Sequence, residues 1–134
     1  MNTKTLVAGL LAAVVTFLIG WLIFGVLLVS YYNSNMLAYP GLLKEPPNVL
    51  FIGFANLAWG LMLAYVFSLA GINTASKGLI TGFIIFLLIC IGFNCMFHAQ
   101  FNLYSRRVFV VDALANGVLG AISGAFIGWW YGRK

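Results

Sequence analysis

The sequence predicts an all-α membrane protein with four transmembrane helices in an antiparallel up-down bundle. Three observations lead there. Hydrophobic residues make up 63% of the 134 positions and charged residues only 7%, with a mean hydropathy of +1.06, whereas a soluble domain carries about a quarter charged residues. Uncharged runs of membrane-spanning length recur along the whole chain, so the class does not rest on one segment. The ten-residue alternating strands of a transmembrane barrel are absent, which leaves helices as the form that satisfies backbone hydrogen bonds in lipid.

The first span is expected over residues 5–31. It is a run of 27 residues, or about 40 Å of helix, longer than a hydrocarbon core of about 30 Å requires. It has no clear small-residue cleavage site and exceeds the length of a signal-peptide core, so it reads as a retained span. The second span is expected over 49–71, the third over 78–104 and the fourth over 108–131, together making one domain over residues 1–134. The first connection, Tyr32 to Asn48, carries Pro40-Gly41 and Pro46-Pro47, which break helix. Its Met36, Leu37, Leu42 and Leu43 suit a segment lying on the membrane surface. The second connection, around Ile72-Asn73-Thr74, is short and polar, and the third reads as a tight turn at Ser105-Arg106-Arg107, so neighbouring helices are expected to run in opposite directions.

The net charge of +5 comes from basic residues at the ends of apolar runs, not from a patch of the nucleic-acid-binding kind. Lys4, Lys77, Arg133 and Lys134 fall on one face of the membrane and Lys44, Arg106 and Arg107 on the other. The positive-inside rule then favours cytoplasmic termini in a bacterial inner membrane. Trp129, Trp130 and Tyr131 form an aromatic anchor at the interface.

Two patterns stand out. In the fourth span Asp112, Asn116, Gly120, Gly124, Gly128 and Gly132 recur every fourth residue. Small residues at this spacing let helix backbones approach closely, either within the chain or at a homo-oligomer interface or pore. Late in the third span Cys90, Asn94, His98 and Asn102 also recur every fourth residue and share one face. A turn near Arg106 sets Asn102 opposite Asp112, His98 opposite Asn116 and Asn94 opposite Gly120. With Asn56 from the second span, this gives a candidate polar site of Asn56, Asn94, His98, Asn102, Asp112 and Asn116. The same residues also read as interhelical glue, with Asp112 paired to Arg106 or Arg107. His98 is the one side chain here that titrates near neutrality when unperturbed. Trp21 and Trp59 read as packing residues.

No Ser-His-Asp constellation, paired carboxylates, phosphate loop or metal-ligand spacing occurs. Cys90 and Cys95, five residues apart, stand about 140° apart around a helix and form neither a disulfide nor a redox pair. The expectation is therefore a non-enzyme without catalytic residues, cofactor or metal. Its partners are the lipid bilayer, a second copy or another membrane protein, and a small-molecule ligand; nucleic acid is not among them. The leading reading is an accessory or scaffolding subunit, and the alternative is a solute, ion or proton channel or transporter.

Gly20-Trp21, His98-Ala99-Gln100-Phe101 and Gly128-Trp129-Trp130-Tyr131-Gly132 give the chain a layout that resembles uncharacterised small four-helix bacterial membrane proteins. The resemblance implies the fold and brings no catalytic residues. In size the chain is also similar to small multidrug exporters, but their glutamate in the first helix has no counterpart here.

Overall fold

A computed structural model describes residues 2–37, 39–103 and 105–133. It is all-helical: α1 (Thr3–Gly20), a π-helical segment (Trp21–Leu27), α2 (Val29–Asn35), α3 (Val49–Leu69), α4 (Ala75–Gln100) and α5 (Arg106–Gly132). Four stretches, Thr3–Leu27, Val49–Leu69, Ala75–Gln100 and Arg106–Gly132, are long and apolar enough to cross a membrane.

The boundaries follow from local chemistry. The Asn2 side chain accepts from Thr5 N at 2.9 Å, so α1 begins earlier than its apolar pattern suggested. Asn48 Oδ1 accepts from Leu50 N at 3.1 Å and Phe51 N at 3.3 Å to start α3, and Thr74 Oγ1 accepts from Lys77 N at 3.3 Å to start α4. Helix α3 stops at Leu69 because Gly71 takes a left-handed φ of 64°. Ile72 N can then reach back to Phe67 O at 3.0 Å, and both side chains pack in the core.

Two expectations about the first and last connections are corrected. The first span is not one α-helix over 5–31. Leu28 N bonds Ile23 O, five residues back, at 2.8 Å, and the helix widens between Trp21 and Leu27. The turn at 105–107 is not tight either. Phe101 is already extended, and Arg106 and Arg107 belong to the first turn of α5. The expected end of the third span, Tyr104, lies outside the described residues.

Helix α4 packs mainly on α5, and α3 mainly on α1. The α4–α5 crossing is reciprocal: a Cβ on Gly78 would strike Gly124 O and one on Gly124 would strike Gly78 O, and Gly82 and Gly120 are related in the same way. Gly128 faces Thr74 O and Gly132 faces Asn73 O. The row of Gly120, Gly124, Gly128 and Gly132 is thus set against α4 and the residues before it. A second close crossing joins Gly9 and Ala13 of α1 to Gly60 of α3, where a Cβ on Gly60 would lie 2.6 Å from Ala13 N.

These crossings concentrate the core toward the chain termini, where Ala8, Ala12, Leu63, Ala64, Phe67 and Ile127 are buried. Thr16 Oγ1 donates to Ala12 O at 2.7 Å, so its 3.0 Å contact with Ser123 Oγ has the serine as donor. Outward positions such as Leu6, Val14, Leu18, Ile84, Leu88 and Val110 remain apolar and exposed.

Candidate functional site

From the level of Thr16 toward the loops, the helices diverge around a cavity of about 820 Å³. Its walls are aromatic: Phe17, Trp21 and Phe24 from the first helix, Trp59 from α3, and Phe86 and Phe93 from α4. Pro46 and Pro47 line it from the first connection. The Trp59 and Phe86 rings meet at 5.5 Å near the closed end, beyond which Leu63, Phe67 and Ile127 fill the core. The cavity is therefore blind.

Its polar wall is built around Asp112 on α5. Oδ1 accepts from the Tyr32 hydroxyl at 2.6 Å and from Asn116 Nδ2 at 3.3 Å. Oδ2 accepts from Asn94 Nδ2 at 2.7 Å and from the Cys90 thiol at 3.0 Å. Asn116 Nδ2 also donates to Asp112 O at 2.9 Å, and both Asn94 and Asn116 approach Cys90 Sγ, at 3.3 and 3.4 Å. Four neutral donors on two oxygens fill the acceptor capacity of an ionised carboxylate. They leave its formal charge in place. Among the described residues no Lys or Arg forms a salt bridge with Asp112; Arg106 and Arg107 are exposed, so the expected pairing is not formed.

Of the six residues expected at the site, Asn94, Asp112 and Asn116 converge. Asn56 lines the cavity from α3, with its Nδ2 donating to Ile52 O at 2.8 Å. His98 and Asn102 do not join. Asn94, not Asn102, sits opposite Asp112, a displacement of eight positions or about two helical turns. The cause is the extended chain after Gln100, which lengthens the connection and carries both residues past the cluster. His98 is exposed beside Phe97, Phe101 and Leu103, and Asn102 contributes its backbone oxygen to Tyr39 Oη at 3.5 Å.

Tyr32 was not foreseen. In a uniform α-helix it would stand about 160° around from Thr16, yet both residues touch α5. The π-helical segment inserts one residue into the helical count, a correction of about 100° that brings Tyr32 round to Asp112. Cys90 was visible in the every-fourth-residue row, and both it and Cys95 are free thiols. Trp21 is also not a packing residue: it is 63% exposed at the cavity. Among the described residues no three His, Cys, Asp or Glu side chains gather in a way that could hold a metal.

No protein-family model matches the chain, and neither a curated protein nor a solved structure matches it significantly.

Proposed function

We propose that this chain is a multi-pass membrane protein whose four spans form an up-down bundle, and that it binds an apolar small molecule in the cavity beside Asp112. The observation that carries this reading is the cavity itself: about 820 Å³, within the range of small-ligand sites, with aromatic walls and a few convergent polar groups. A bundle whose sole task is scaffolding has no need of such a volume between its helices. The glycine row, which could have served a second copy, faces α4 of the same chain. A blind cavity supports binding more than an open pore. By sequence, four basic residues, Lys4, Lys77, Arg133 and Lys134, stand against three, Lys44, Arg106 and Arg107, which supports placing the termini on the cytoplasmic side; Lys134 lies outside the described residues.

The test is photolabelling of the chain in liposomes with a diazirine-bearing long-chain alcohol, comparing wild type with Ala55→Trp, which fills the cavity from α3. Adducts are expected at Phe24, Trp59 and Phe93 and should disappear in the variant. Labelling confined to outward residues such as Ile84 and Leu88 would remove the basis for the proposal.

A further inference from the structure

Resting on the cavity as a binding site, we infer that its ligand is a lipophilic amine, bound in its protonated, cationic form. Many polar atoms of the cavity wall are already engaged with one another. Asn56 Nδ2 is held by Ile52 O, and Asn116 Nδ2 by Asp112 O and Oδ1. Because each amide nitrogen faces an acceptor, the side-chain orientation is fixed, and the carboxamide oxygens of Asn56 and Asn116 remain as acceptors, with the second N–H of Asn56 beside them. The Thr16 hydroxyl likewise donates to Ala12 O. The Cys90 thiol donates to Asp112. Around Asp112 the polar wall thus offers carboxamide oxygens, together with one formal negative charge that neutral donors satisfy geometrically but do not cancel.

A ligand suited to this wall brings N–H donors and a positive charge. Its ammonium displaces the weakest donor on the carboxylate, the Cys90 thiol, from Oδ2. The apolar body then lies among Trp21, Phe24, Trp59 and Phe93, where ring faces also favour a nearby cation. An anionic ligand would meet the Asp112 charge with no Lys or Arg on the cavity wall to offset it.

The experiment is calorimetric titration of the full chain in phosphatidylcholine nanodiscs, with empty nanodiscs as the partitioning blank. The three probes share one skeleton: 6-phenylhexylamine, 6-phenylhexan-1-ol and 6-phenylhexanoate. The amine is expected to bind at least tenfold more tightly than the alcohol and the carboxylate most weakly, with Asp112→Asn bringing the amine down to the alcohol. The wild-type comparison of amine with alcohol decides the matter even if that variant does not fold. Amine and alcohol binding within twofold of each other, with both abolished by Ala55→Trp, would overturn the amine while leaving the cavity as a binding site, and tightest binding of the carboxylate would do the same. Absence of any saturable signal above the blank for all three probes would overturn the inference and the binding site together.

Discussion

Replacing Gly124 by Ala adds a single methyl group where the geometry leaves no room for it. Its Cβ would sit 3.0 Å from Gly82 Cα and 3.1 Å from Gly78 C, and closer still to Gly78 O. All three are backbone atoms of α4, so no rotamer change can relieve the contact. The helices must separate by roughly 1 Å to restore a carbon–carbon distance near 3.5–4.0 Å, and a gap of that size forfeits a quarter to a half of each dispersion contact along the seam. With an overpacking cost of about 1–3 kcal/mol, Gly124→Ala should be destabilising by that amount. Gly92 on α4 is the control: a Cβ there meets nothing within 4 Å, so Ala should be neutral or stabilise the helix by up to about 1 kcal/mol. The assay is reversible unfolding in mixed micelles, followed by tryptophan fluorescence. Equal effects of the two substitutions would refute the claim that the crossing depends on backbone contact. Gly78→Ala combined with Gly124→Ala should be less than additive, because either methyl opens the same seam.

Tyr32→Phe removes a 2.6 Å hydrogen bond to Asp112 and should destabilise by about 0.6–1.7 kcal/mol, the range for interhelical bonds between membrane helices; no change in a denaturation midpoint would show that the bond contributes nothing. His98→Ala should shift stability by less than about 0.5 kcal/mol and leave amine binding unchanged, since His98 is exposed and away from the cavity; lost binding would return it to the site. Deleting Val26 should restore plain α-helix between Trp21 and Leu27 and leave Tyr32 facing Asp112, because it removes the one extra residue that the π-helical segment accommodates. After that deletion Tyr32→Phe should still destabilise to a similar extent, and loss of its effect would mean that the extra residue of the widened turn does not set the position of Tyr32.

What could be read from the sequence was whatever repeats at the helical period. The spans and the every-fourth-residue rows are local patterns, and Asn94, Asp112 and Asn116 stand on them. Register was not legible, because it depends on the path of the chain between helices. The extended backbone from Phe101 looks no different in sequence from the end of an apolar helix, and that path separates His98 and Asn102 from Asp112. Tyr32 was lost for a related reason: counting residues assumes uniform α-helix, and one π-helical segment is enough to change which side chains face α5. The cavity depends on four helices diverging together, which no single-helix pattern encodes.

That divergence follows from where small and large side chains fall. Gly9, Ala13 and Gly60 draw α1 and α3 together near the chain termini, and Gly78, Gly82, Gly120 and Gly124 do the same for α4 and α5. On the other side of Thr16 the positions lining the cavity are Phe17, Trp21, Phe24, Trp59 and Phe93, bulky rings in place of the small residues that let the other half close, and they leave the space between them open. The open half consequently needs a cross-tie, and the Asp112 cluster supplies one by joining Tyr32 on α2 and Cys90 and Asn94 on α4 to α5. On α3, the Asn56 amide nitrogen donates within its own helix, to Ile52 O. Hydrogen bonding to the carboxylate therefore ties three sides of the cavity, while the fourth, α3, is positioned by packing on α1, by the Trp59–Phe86 ring contact and by the Tyr131 hydroxyl donating to Ala64 O at 2.9 Å.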